Sequence, residues 1–373
     1  MGRVPFVAFF LEKMEKKNPH QSPLYKGGEK GRLMENVLNN PTLSYRRQVQ
    51  RRTAALAAIF GLTLIVGIYA VTQGAYNLSP MQAIRALIGN AGKGADVVVW
   101  NIRLPRIIAS LVVGWGLAIS GLGIQSLLRN PLGSPSTLGI SQGAAFGAAA
   151  AIVFLHAGIV SVTIFAFMGA MGATMIILVL ARLKRLSPEA IILSGVALSA
   201  LFGSATILIQ YLATDIQLAA VVFWTFGDVA RSGWREIGLL TLVVSLLSVF
   251  FVIQRWDLNA LDSGEEAARG LGVNVERLRL QGMVAAALIA ALATAFHGVI
   301  AFVGLIAPHM ARRLVGADHC LLIPFSAVLG ALLLLSADTI GRVLVGSGAL
   351  PVGVITSFLG APMFLYLLVR GYR

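Results

Sequence analysis

The sequence predicts an all-α membrane protein with about ten transmembrane helices. Two observations carry that reading. Of 373 residues, 57% are hydrophobic and 12% charged, whereas soluble domains run about 45–50% apolar and about 25% charged. Apolar runs of about 20 residues recur along the chain, the length a helix needs to cross about 30 Å of hydrocarbon. A chain this apolar has too little polar surface to cover a water-soluble globule. One polytopic membrane domain is therefore expected, not two or three soluble ones.

Residues 1–52 read differently. Lys13, Lys16, Lys17, Pro19, Pro23, Gly27, Gly28, Lys30 and Gly31 fall within them. Such a stretch cannot bury enough apolar surface to offset its ordering entropy, so a disordered cytoplasmic segment is expected. Val4–Leu11 is apolar but short, and no cleavage-site pattern follows, so a signal peptide is not expected. Met34 is an alternative start, which would make residues 1–33 a dispensable, over-called extension. Arg46, Arg47, Arg51 and Arg52 then anchor a first membrane helix.

One polytopic membrane domain is expected over 53–373. Its segments are 54–73, 107–128, 136–155, 160–181, 190–213, 237–254, 280–297, 299–313, 321–341 and 350–369. The eighth is short and contains Pro308-His309. An even number of spans puts both termini on one side. The net charge is +14, but the Lys and Arg sit between apolar runs with no aromatic-interleaved basic patch, which speaks against nucleic acid. With the N-terminus inside, 23 of the 30 Lys and Arg fall on the cytoplasmic side and only Arg85, Lys93, Arg103, Arg106, Arg231, Arg235 and Arg342 on the outer side, so both termini are expected in the cytoplasm. The one cysteine, Cys320, excludes a disulfide within the chain and reads as a small buried hydrophobe.

Small residues recur within the segments. Gly139, Gly143 and Gly147 line one face of the third, and Gly114/Ala118 and Gly116/Ser120 do so on the second. Such faces let helices approach closely in lipid, and point to a tightly packed multi-helix body.

Some chemistry is missing from the sequence. No G-x-x-x-x-G-K-[ST] pattern is present, and Gly92-Lys93-Gly94 lacks both the upstream glycine and the hydroxyl residue, so no phosphate loop binds ATP. No H-E-x-x-H occurs, and no G-x-S-x-G stands on a strand-turn-helix, which speaks against an intramembrane hydrolase. Asp338 is the clear acid at membrane depth, four residues before Arg342, and reads as a structural pair more than as a proton relay. His297 reads as a polar residue at a helix end near the outer surface.

The longest internal cytoplasmic loop, 255–279, reads as a knob. Ala267, Ala268 and Leu271 fall at helical spacing, Gly272 is a stop, and Val275 and Leu278 begin a second short turn. Two short helices joined by Gly272 are thus expected at about 262–278, making a compact knob on the cytoplasmic side.

Here a resemblance becomes specific. Gly264-Glu-Glu-Ala-Ala-Arg-Gly-Leu-Gly272 is similar to the coupling segment of FecCD-type permeases, which import iron-siderophores, haem and cobalamin. Arg103-Leu-Pro-Arg106, Ile119-Ser-Gly with Gln125, Arg129-Asn-Pro-Leu132 and Leu138-Gly-Ile-Ser-Gln-Gly143 agree. So do Gly304-Leu-Ile-Ala-Pro-His309, Ala337-Asp338 with Arg342, Leu350-Pro-Val-Gly-Val-Ile-Thr356 and Gly360-Ala-Pro362. The blocks stand in family order over about 45–373.

The resemblance implies a homodimer of ten-helix subunits in the cytoplasmic (inner) membrane, with the path at the two-fold axis. It implies two separate ATPase subunits, which hold the ATP and Mg, docked at Gly264, Glu265, Ala268, Arg269, Leu271 and Gly272. This chain itself would carry no cofactor and no catalytic site. A soluble or lipid-anchored binding protein would deliver a metal chelate and dock at Arg103, Arg106 and Arg342, the outward arginines being the charge anomaly. Ser187 matches one hydroxyl of the cytoplasmic gate, and Pro188 stands in place of the other. His297 and residues 1–33 depart from the pattern. The competing reading is an ATP-independent secondary carrier or channel.

Overall fold

The computed structural model describes residues 41–74, 76, 78–156, 158–231, 233–345 and 350–369. The expectations for residues 1–33 lie outside them. The chain divides at Ala55, and everything below concerns Leu56 onward. No strand occurs among the described residues.

Fifteen α-helices account for them. In chain order they are α1 (Pro41–Thr72), α2 (Pro80–Leu87), α3 (Lys93–Val98), α4 (Leu104–Leu128), α5 (Ile140–Phe154), α6 (Ile159–Arg182), α7 (Pro188–Leu212) and α8 (Asp215–Thr225). Then follow α9 (Trp234–Ile253), α10 (Arg255–Asp262), α11 (Glu265–Gly270), α12 (Val275–His297), α13 (Val303–Val315), α14 (His319–Val345) and α15 (Val352–Val369). A π turn, Val99–Arg103, joins α3 to α4.

Local chemistry sets many starts. Ser79 and Gln82 form a capping box ahead of Pro80, and Thr214 with Gln217 does the same for α8. Ser187 caps α7 through the Ala190 N–H, with Pro188 at the first helical position. Asn274 Oδ1 accepts the Arg277 N–H at 3.0 Å and starts α12.

Each of the ten expected segments is represented by a helix. Seven spans are long and apolar enough to cross a membrane, and α5, α8 and α15 are shorter apolar helices. The eighth expected segment differs most. Its first four residues are not helical; the 13-residue α13 begins at Val303, and Phe302 before it adopts a left-handed φ of 68°. Non-helical backbone at this depth survives because it is enclosed by protein. Ile300 is 8% exposed and Val303 3%. The sequence reading missed α2, α3 and α8.

The long helix α4 is the hub, packing against α9, α12, α13 and α14, while α5 packs on α6 and α7. The small-residue faces are where backbones meet. A Cβ on Gly114 would stand 2.3 Å from the carbonyl oxygen of Gly330 in α14, and one on Gly143 2.5 Å from that of Gly169 in α6. Gly139 is not on the α5 face as expected; it precedes the helix at φ 77°.

Candidate functional site

The two ends of the bundle carry the polar chemistry. At one end lies α11. Gly264 enters it at φ 132° and Gly272 leaves it at φ 87°, conformations that disfavour any residue with a Cβ. Glu266, Ala267, Arg269, Leu271 and Gly272 are exposed, Leu271 by 74%. Two expectations need correction. Ala268 is fully buried and faces the bundle, so it has no surface to offer a partner. The second short helix expected after Gly272 is the first turn of α12, while α10 precedes α11.

Glu265 also turns inward. Its Oε1 accepts Arg269 at 3.0 Å and its Oε2 accepts Arg279 at 3.0 Å. Burial raises the Glu265 carboxyl, but these arginines outweigh it and hold the group below its ordinary value. Arg279 is fully buried on α12. Its Nε donates to Leu127 O at 3.1 Å and its Nη1 to Leu186 O at 2.8 Å. Ser187, the next residue, is half-buried, and its hydroxyl is engaged as the α7 cap.

A second cluster lies beside it. His319 is fully buried at the start of α14. Its Nδ1 is 2.7 Å from Asn259 Oδ1, which can only accept, so Nε2 is left to accept the Ser126 hydroxyl at 2.7 Å. Asn259 Nδ2 donates in turn to Asp318 Oδ1 at 3.0 Å. The backbone N–H of Cys320 is the chief cause that holds the Asp318 carboxyl below its ordinary value. Burial pushes the Asp262 carboxyl up, against the pull of Arg312 and Arg129. Cys320 is exposed, not buried as expected.

At the opposite end the three expected docking arginines come together, but as a clasp. Asp338 is fully buried. Its Oδ1 accepts Arg106 Nε at 2.8 Å, and its Oδ2 lies 3.1 Å from Arg342 Nε. Arg342 Nη1 donates to Ala70 O at 3.0 Å, and Arg103 donates to Val71 O at 2.6 Å and to Tyr76 O. Arg103 is 4% exposed and Arg342 7%. Arg106 is half-buried, so in this chain the three guanidinium groups are engaged mainly with Asp338 and with backbone carbonyls. The same end holds His297, which closes α12 before Gly298 as expected; its side chain is fully buried, with Nδ1 3.2 Å from Ala293 O. Its carbonyl accepts the Asp228 N–H at 2.7 Å.

Arg279, Asn259 and His319 escaped the sequence reading as functional residues. Only helical phase separates Arg279 from exposed Arg277, and phase alone does not reveal which face is enclosed. The other motif blocks serve packing. Gln125 Nε2 donates to Leu305 O at 3.2 Å, and Ser120 Oγ to Ala286 O at 2.6 Å. Among the described residues no group of three or more His, Cys, Asp or Glu side chains could hold a metal.

A multi-helix body with close backbone crossings and a small exposed helix between two spans is that of a polytopic membrane protein. The chain belongs to the FecCD transport family, whose model matches residues 62–370. It is 49% identical over 332 residues to an ABC transporter permease protein of Methanocaldococcus jannaschii, covering 84% of this chain and 95% of the relative. It is 37% identical over 332 residues to the vitamin B12 import system permease protein of Vibrio cholerae, covering 88% and 97%. A solved metal-chelate type ABC transporter in an inward-facing conformation superposes with a TM-score of 0.76 at 31% identity, covering 86% of this chain and all of that one.

Proposed function

We infer that the chain is the membrane-spanning subunit of an ATP-driven importer of a metal chelate: an iron-siderophore, haem or a corrinoid. The observation that carries the reading is α11, fixed to the bundle by Ala268 and the Glu265–Arg279 pair while Glu266, Arg269 and Leu271 face outward. Family membership supports the transport class. A relative named for vitamin B12 import and a structural neighbour named for metal chelates support the cargo class.

In this reading two chains form a homodimer in the cytoplasmic (inner) membrane, with the path at the two-fold axis. Two separate ATPase subunits bind ATP and Mg and dock on α11 of each chain, so this subunit is not itself an enzyme. The turn at Ser187 belongs to the cytoplasmic gate. Both termini are cytoplasmic, supported by Arg182, Lys184, Arg185, Arg312 and Arg313 gathering at the α11 end. A soluble or lipid-anchored binding protein delivers cargo at the other end. Its docking there is assigned to Arg103, Arg106 and Arg342, with the exposed cations Arg85, Lys93 and Arg235 at the same end. Affinity purification of the tagged chain from its native membrane, followed by mass spectrometry, tests the assembly. An ABC ATPase is expected in stoichiometric amount, and a chain that purifies from intact membranes without one contradicts the reading.

A further inference from the structure

One guanidinium joins α11 to the turn before Ser187. Arg279 sits in the second turn of α12 with no exposed surface. Its three nitrogens bond to three separate elements. Nε holds the Leu127 carbonyl in the last turn of α4, Nη1 the Leu186 carbonyl, and Nη2 the Glu265 carboxylate at the first residue of α11. A buried cation that left any of these donors unpaired would be costly, so the three partners are held as one unit. The guanidinium is a rigid planar fork, and a lysine ammonium at the same place could not span the three acceptors.

The turn it holds is strained. Arg185 and Leu186 both adopt left-handed conformations, with φ of 53° and 55°. Neither is a glycine, and conformations of this kind persist only where the surroundings over-determine them. Within the turn, Leu186 N donates to Ala181 O at 2.9 Å and Ser187 N to Lys184 O at 3.1 Å. The Arg279 bond to Leu186 O is the tie from another element, and it shares a side chain with the tie to α11. A displacement of α11 that pulls on Glu265 therefore reaches the strained turn through two hydrogen bonds and one rigid group.

We propose that Arg279 is a positioning residue that conveys movement of α11 to the Lys184–Ser187 turn, with Glu265 as its handle. The proposal rests on the reading of α11 as the ATPase-docking helix and of Ser187 as part of the gate. It differs from a plain structural brace in requiring the turn to respond to nucleotide through this pair.

The test uses the intact complex of this chain with its co-expressed ABC ATPase in lipid nanodiscs. Exposed Cys320 is replaced by serine, and a single cysteine is placed at exposed Arg185. The rate of maleimide labelling is read without nucleotide and with ATP plus vanadate. The expected result is a nucleotide-dependent change of rate that Arg279→Lys and Glu265→Gln each reduce by about fivefold or more, the scale of a coupling between two sites. Only complexes that purify intact are compared, which sets aside variants that fail to fold. Arg277→Lys, on the exposed side of the same helix, should leave the change intact. A full nucleotide response in Arg279→Lys and Glu265→Gln overturns the proposal, as does an equal loss in Arg277→Lys. A wild-type complex that assembles but shows no nucleotide response overturns it too. Failure of the wild-type chain to assemble with any ATPase overturns the functional reading instead, and this proposal with it.

Discussion

Asp338 Oδ1 accepts the Nε of Arg106 at 2.8 Å across 232 positions of sequence, joining α14 to the first turn of α4. With Arg342 on its other oxygen, the carboxylate is the counter-charge for two enclosed arginines. Removing one partner of a buried ion pair leaves an uncompensated charge at a cost of about 3–5 kcal/mol. Asp338→Ala should lower thermal stability in detergent by that order, read from the unfolding midpoint and slope. A proton relay at Asp338, as the carrier reading would need, instead predicts lost transport with unchanged stability.

Ala268 is fully buried within α11, while Leu271 at its C-cap is 74% exposed. Ala268→Arg should therefore damage the fold around α11, seen as aggregation or a lowered melting temperature. Leu271→Arg should leave the melting temperature of the chain unchanged and weaken co-purification of the ATPase. The opposite pattern would show that α11 presents its other face.

Gly121 and Gly304 mark the closest crossing of α4 and α13. A Cβ on Gly121 would fall 1.7 Å from the Gly304 carbonyl oxygen. Overpacking a fixed backbone contact costs about 1–3 kcal/mol, and this one belongs at the upper end. Gly121→Ala should sharply reduce the folded yield. Gly172→Ala, with nothing within 4 Å of the added Cβ, should be neutral or stabilising by about 0.5–1 kcal/mol. Fluorescence size-exclusion profiles of the two variants separate these outcomes.

Membrane-spanning segments were legible because apolar length over-determines them; one property, repeated, sets the element. Residues 299–302 were not, since an apolar stretch reads alike as helix or as enclosed coil. The arginines show the sharper limit. Charge counting placed Arg103, Arg106 and Arg342 together at one end, as the structure does. It could not tell a presented guanidinium from an enclosed one, because that depends on the carbonyls of Ala70, Val71 and Tyr76 arriving from elsewhere. The stop at Gly272 was legible through turn chemistry and Gly264 through the motif it opens, whereas the inward aim of Ala268 and Glu265 depends on α11's packing.

The Glu265 carboxyl titrates below its ordinary 4.5. A depressed carboxylate contributes stability that is fully present above the unfolded value and is lost as pH falls through the folded one. The melting-temperature difference between wild type and Glu265→Gln should thus hold constant from pH 7 down to about 4.5 and shrink below it. A difference that changes between pH 7 and 5 would show that another group governs the pair.

The central claim is that this chain does no work without a separate ATPase acting from the α11 end. Uptake into proteoliposomes tests it most directly, with labelled ferric siderophore, haemin and cyanocobalamin as cargo and the binding protein supplied on the cargo side. Vesicles holding this chain with its ATPase should accumulate one of the three only when ATP is present on the ATPase side. Vesicles holding the chain alone should neither accumulate cargo nor hydrolyse ATP. Cargo accumulation against a gradient by the chain alone, with no ATPase detectable in the vesicles, would contradict the account.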